Sequence, residues 1–213
     1  LTHLALTSLM AFPLSLRDLP GRRVLSFFVF FTMLFNGGLV PTYIWYTNSL
    51  HIRNTLFAYL LPNLLMGAFN VILVRTFFNT SIPTDLYEAA KIDGAGYGII
   101  CIKVVLPLGK PILVTIGLFS GLNYWNDWTN GLEYIVQHQE YYSIQNVRTN
   151  MLNNLQFLKS SAQMQGINIE LGSLPSAGVR MAIAVVAVVP IMIVYPFIQK
   201  SFVKGIVIGG VKG

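Results

Sequence analysis

The sequence predicts an all-α fold, a polytopic bundle of membrane-crossing helices. Three observations carry that prediction. Only 22 of 213 residues are charged, 14 Lys plus Arg and 8 Asp plus Glu, or 10%. A soluble domain carries about 25%, so this chain has too little charge to cover a water-facing surface. The hydrophobic fraction is 54% and the mean hydropathy +0.61, which excludes disorder. Finally, four apolar runs reach the roughly 20 residues that a spanning helix needs, and a fifth begins at residue 1.

In chain order, Leu1 to Leu16 is apolar with no basic region before it, so it reads as a partial span rather than a signal peptide. A start lost at the amino end is expected. Arg17-Asp18-Leu19-Pro20-Gly21-Arg22-Arg23 is a short basic turn. The second span is expected over 24–46, interrupted by Asn36-Gly37-Gly38 and Pro41. The third covers 55–78, with Pro62 and Asn63 inside and Arg75 near its end. Residues 80–111 are mixed and lie between spans. The fourth span runs over 112–132, a polar loop over 133–175, and the last span over 179–198, before a tail with Lys200, Lys204 and Lys212. Pro62, Pro190 and Pro196 are candidate kinks.

Five crossings place alternate loops on opposite sides. The side holding 17–23, 75–111 and 199–213 carries ten basic residues; the other holds four, Arg53, Arg148, Lys159 and Arg180. The acids divide evenly, so the whole +6 net charge falls on the first side, which is therefore assigned to the cytoplasm. That distribution in an apolar chain excludes a nucleic-acid partner, which would need Lys and Arg clustered in a polar one. The partner expected from composition is membrane lipid.

The cytoplasmic segment 80–111 is the informative one. Pro83 suits a first helical turn, capped by Ser81 or Thr84. Leu86 to Ile92 are good helix formers, and Asp93-Gly94 stops the helix because glycine accepts the left-handed conformation. Ile99 to Leu106 is a second apolar helix ending before Pro107. Ala89 and Ala90 allow close approach of another surface, and Glu88 and Asp93 offer acceptors to a basic partner. The segment reads as a compact plug for a socket on another protein.

Glu88-Ala89-Ala90, Asp93-Gly94-Ala95, Leu106-Pro107 and Pro111 together resemble the EAA signature of permease subunits of bacterial ABC importers. Phe12-Pro13-Leu14-Ser15, the segment Gly37 to Thr42 and the ending Phe202 to Gly213 extend the resemblance over nearly the whole chain. They point to carbohydrate-uptake permeases of the maltose type, in the branch associated with complex oligosaccharides. The resemblance implies one permease domain over 1–213 of the type I importer kind, lacking the family's first span and the start of its second. It implies that 80–111 is a coupling loop docking on an ATPase, with Glu88, Ala89, Ala90, Asp93, Gly94 and Pro107 at that surface. The implied partners are a second permease subunit, as a heterodimer, two ATPase subunits and an extracytoplasmic solute-binding protein. The implied location is the bacterial cytoplasmic membrane, with sugar or oligosaccharide as cargo. Asp93 and Gly94 have a second reading, as turn builders alone.

No G-x-x-x-x-G-K-[ST] occurs, so ATP is expected to be used by the partner subunits, and no cofactor on this chain. The single Cys101 and the scattered His3, His51 and His138 give no metal-ligand spacing. Two rivals remain open. An ion-coupled secondary transporter would need intramembrane acids, for which Asp127 is the one candidate. A membrane-embedded enzyme would need clustered His, Asp or Glu, and none is found. Among importers, another solute class also remains.

For the translocation path, Lys110 to Asn123 spans about 20 Å at helical rise, which puts Asn123 in the outer part of its span. Asn123, Asn126 and Asn130 follow i, i+3, i+7 and would share a face, with Tyr124, Trp125 and Trp128 beside them. Amides and rings together suit sugars; an interfacial aromatic belt is the alternative. Gly117 and Gly121 form G-x-x-x-G, suited to close helix packing. Loop 133–175 is expected to form one or more short helices. With Tyr141, Tyr142 and Arg148 it is either a contact for the delivering protein or a solvated cap.

Overall fold

The computed structural model describes residues 1–165, 178, 181–182, 184–193 and 195–196. Arg180, the basic tail at 199–213 and the end of the outer loop at 166–175 lie outside the described residues. Among the described residues the regular elements are helical.

The chain divides into two compact units. The described part of the first comprises 1–40 and 63–121. It contains α1 (Thr2–Ser15), α2 (Arg22–Leu34), α5 (Ala68–Ser81) and α6 (Thr84–Ile92). A helical stretch follows, made of α7 (Tyr97–Ile100), a π-helical turn (Cys101–Val105) and α8 (Leu106–Leu108), then most of α9 (Lys110–Trp125). α1 packs chiefly on α5, and α2 packs on both. Ala11, Phe12, Leu14, Val71, Val74, Phe78, Ile100, Val105 and Ile116 form its core. His3 fixes the α1–α5 pair: Nδ1 lies 2.9 Å from the Leu65 carbonyl and Nε2 3.0 Å from Asn70 Nδ2.

The second unit comprises 41–62 and the described part of 122–196. α3 (Leu39–Ile44) leads into it and continues as a π-helical turn (Trp45–Ser49). It holds α4 (Phe57–Leu60), α10 (Thr129–Tyr134), α11 (Ile144–Gln165) and α12 (Ala184–Ile193). Ile52, Ala58, Tyr134 and Ile135 form its core, with Tyr43 stacked on Tyr134 at 5.5 Å between ring centroids. Asn146 ties the unit together. Its Nδ2 donates to the Trp128 carbonyl, while Oδ1 accepts from Ser143 Oγ at 2.6 Å and Tyr59 OH at 3.0 Å.

The expected spans are broken rather than continuous. No described helix alone is long and apolar enough to cross a membrane. Two pairs pass by length and composition, Arg22–Leu34 with Leu39–Ser49 and Tyr97–Leu108 with Lys110–Tyr134, each bent by more than 40° at its break. The first break falls at Asn36-Gly37-Gly38, where Gly38 has φ +88°. The expected span 55–78 is interrupted between Leu60 and Ala68, and Pro62, which has no N–H to carry on the helical ladder, lies in the break. The expected span 112–132 breaks at Asn126–Trp128. The described part of the outer loop holds a short 3-10 helix at Gln139–Tyr141 and the 22-residue α11, which is longer than the short helices expected.

The surface of α2 suits a membrane. Val29 is its one buried residue, while Phe27, Phe28, Phe30 and Phe31 are all exposed. An exposed aromatic face this dense is foreign to a soluble monomer and suits lipid or another subunit.

Candidate functional site

The segment 80–111 folds as two helical pieces, with α6 at its front. Pro83 precedes the first turn, Asp85 sits in that turn and Lys91 in the last, each charge favourable to the helix dipole. α6 starts two residues before the expected Leu86 and ends at the expected Ile92. Its end is a Schellman turn: the Gly94 N–H donates to Lys91 O at 3.0 Å and the Ala95 N–H to Ala90 O at 2.9 Å. Gly94 has φ +78°, and a Cβ there would meet no atom within 4 Å. Its requirement is therefore conformational, which supports the turn-building reading for this residue.

α6 has two faces. Tyr87 and Ala90 turn inward and pack, with Ala95, on the core of the first unit. Burial pushes the Tyr87 phenol up, partly opposed by its hydrogen bond with Ser15 of α1. Lys91 Nζ is 3.1 Å from Asp18 Oδ2 in the α1–α2 turn and lies over the Tyr97 ring at 5.4 Å. The hydrogen bond to Asp18 holds its ammonium above the usual lysine range. Asp85, Glu88, Ala89 and Ile92 recur at helical spacing on the other face and are exposed. Ile92 is 86% exposed, a large apolar group at the free end of an acidic face. Sequence reasoning missed it, although its position four residues after Glu88 places it on the same face.

Asp93 is also exposed, at the helix end. Pro107 lies in α8, not on α6. The second helix was expected to stop before Pro107 but continues to Leu108, because the π-helical turn before it adjusts the hydrogen-bond ladder. Behind it Gly109 is buried, and a Cβ there would approach Phe78 Cε1 to 2.6 Å and Val105 O to 3.0 Å. Gly109 thus lets the segment close against α5, a requirement invisible in the local sequence.

The amide row does not form one face. Asn123 lies on α9, which ends at Trp125, and Asn130 lies on α10. Asp127 turns the chain between them, accepting from the Asn130 N–H at 3.1 Å and Asn130 Nδ2 at 2.6 Å. Trp125 Nε1 donates to the Ala187 carbonyl at 2.9 Å, joining α9 to α12. Asn123 and Asn126 remain exposed. Of the glycine pair, Gly117 faces α1, where an added Cβ would lie 3.4 Å from Leu4 Cδ1, while Gly121 faces open space. Among the described residues no cluster of His, Cys, Asp or Glu could hold a metal.

Residues 4–208 match the family described as "Binding-protein-dependent transport system inner membrane component". The chain belongs to this family. It is 43% identical over 211 residues to the polygalacturonan/rhamnogalacturonan transport system permease protein YtcP of Bacillus subtilis, covering 98% of this chain and 70% of that one. Protein LplC of the same organism is 38% identical, over 99% and 69%. Among solved structures, a bacterial ABC transporter involved in the import of the acidic polysaccharide alginate matches with TM-score 0.69 and 30% identity, over 92% of this chain and 69% of that one. The expected fold, that of a type I ABC importer permease, is thereby established, and the chain is a membrane transport component rather than an enzyme.

Proposed function

We propose that this permease is one half of the translocation path of an ATP-driven sugar or oligosaccharide importer in the bacterial cytoplasmic membrane, spanning it several times. α6 is its coupling helix. The observation that carries this is the two-faced α6, bound to its own unit through Tyr87, Ala90 and Lys91 while Asp85, Glu88, Ala89 and Ile92 face outward. The partners are a second permease subunit, two ATPase subunits and an extracytoplasmic solute-binding protein. Glu88 pairs with a basic group of the ATPase, Ala89 admits close backbone approach, and Ile92 supplies apolar contact. ATP closes the ATPase pair, their clefts carry α6, and the path opens outward. The nucleotide acts because it favours one of two states. The names of the polygalacturonan/rhamnogalacturonan permease and the alginate importer make acidic oligosaccharides the first cargo to test.

The test is reconstitution of the full importer in liposomes. Glu88→Arg is expected to lose co-purifying ATPase and at least about tenfold of uptake, the scale of one charge-assisted contact made repulsive. Full docking and uptake in that variant, or uptake without any ATPase subunit, would sink the proposal. Asp127 gives the ion-coupled rival no support, since its carboxylate is engaged by Asn130.

A further inference from the structure

Arg17, Arg22, Arg23 and Arg75 converge on a cavity of about 600 Å³ in the first unit, together with Ser26. No carboxylate is among the described residues that line it. The neighbouring Asp18 is bonded to Lys91. Arg22 is held in place, its Nε donating to the Leu14 carbonyl at 2.9 Å, and it stands close enough to Arg75 for the two charges to repel. Arg75 Nε and Ser26 Oγ are buried polar atoms without a hydrogen-bond partner. Buried donors left unmatched are costly, and here two of them share a cavity with three further guanidinium groups. The group that satisfies this set is a tetrahedral anion, whose oxygens match the planar fork of arginine.

The position of the cavity selects the source of that anion. Arg22 and Arg23 open α2, and the exposed rings of Phe27, Phe28, Phe30 and Phe31 begin within the next turn or two. A basic cavity at the start of a helix whose next turns expose aromatic rings fits a lipid, headgroup in the cavity and chains along the rings. We propose that this cavity binds the phosphate of an anionic phospholipid of the inner leaflet. Basic pockets between membrane helices on the cytoplasmic side are suited to such headgroups. The assignment rests on the orientation proposed above.

The experiment uses the assembled importer, delipidated in detergent and titrated with phosphatidylglycerol, phosphatidylcholine or inorganic phosphate, with bound lipid counted by native mass spectrometry. Phosphatidylglycerol is expected to be preferred over phosphatidylcholine by about tenfold or more. Arg23→Gln and Arg75→Gln are each expected to reduce its binding by about fivefold, the scale of one basic residue at a lipid surface. Arg23 is exposed, so its variant remains informative if Arg75→Gln fails to fold. Equal retention of the two lipids, or wild-type retention by Arg23→Gln, would overturn the proposal. Inorganic phosphate competing as well as the lipid would reduce the site to a free-anion site and overturn the lipid assignment. Loss of the ATPase subunits from Arg23→Gln with lipid binding intact would assign the surface to an acidic protein instead. Sugar uptake is a separate readout, so an importer of another solute that still selects phosphatidylglycerol overturns the cargo and leaves the site standing.

Discussion

Replacing Gly94 by alanine isolates the contribution of one backbone conformation to the proposed coupling. Gly94 holds φ +78°, and no atom lies within 4 Å of the position a Cβ would take. The steric cost of the added methyl is therefore nil, and what remains is the left-handed penalty, about 1–2 kcal/mol for a non-glycine residue. If that cost is relieved by opening the Schellman turn, the bonds from Gly94 to Lys91 and from Ala95 to Ala90 are lost together. The end of α6, with Ile92 on it, then frays. A penalty of this size shifts a two-state population by a factor of about 5 to 30. Gly94→Ala should weaken ATPase docking by up to that factor, measured as the binding affinity of the ATPase subunits for the permease in nanodiscs. Gly94→Asn should recover part of it, because asparagine tolerates this region better. Gly98→Ala is the control: it has no positive φ and open space around it, and should leave docking unchanged. Wild-type affinity in Gly94→Ala, or an equal loss in Gly98→Ala, would refute the reasoning.

Three further outcomes follow from the second unit. Asn146→Ala leaves Tyr59 OH, Ser143 Oγ and the Trp128 carbonyl short of a partner at a site only 2% exposed, and should cost about 2–4 kcal/mol, read as a lowered melting temperature of the assembled importer. Asn130→Ala removes a bond to Asp127 and should lower thermal stability with little change in the apparent affinity for cargo. Asn123→Ala, on an exposed face, should do the reverse in a liposome uptake assay, and the opposite pattern would remove Asn123 from the path.

The sequence made legible whatever depends on local composition. Scarce charge identified a membrane bundle, and the concentration of acids at Asp85, Glu88 and Asp93 pointed to the loop. Good helix formers ending at Asp93-Gly94 gave α6 to within two residues at its start. The breaks in the spans were harder. Hydropathy averages over a window, so Leu61 to Gly67 and Asn126 to Trp128 remained inside apolar runs even though Pro62 and the Asp127 cap stop the helices there. The amide row failed for this reason, since i, i+3, i+7 spacing holds only along one uninterrupted helix. Contacts such as Asp18 with Lys91, 73 residues apart, or Tyr59 with Asn146, 87 apart, carry no periodic signature at all. Gly109 belongs with them, because its need for a missing side chain comes from Phe78 on another helix.

With α6 as the proposed coupling helix, its grip on its own unit would decide how force passes from an ATPase to the spans, and two attachments compete for that role. One is the Lys91–Asp18 pair, with side chains 39% and 74% exposed. Exposed pairs of this kind are screened by water and salt and contribute little. The other is the apolar seat of Tyr87, Ala90 and Ala95 on a core that includes Ala11, Phe12 and Phe78. Truncating a half-buried aromatic should cost about 1–2 kcal/mol, less than the full core value, and the loss falls at the joint itself. Tyr87→Ala should therefore lower sugar uptake per ATP hydrolysed, while Lys91→Met should leave that ratio near wild type at physiological salt. If Lys91→Met uncouples the importer more than Tyr87→Ala, the ion pair is the transmitting contact and the apolar seat is only a support.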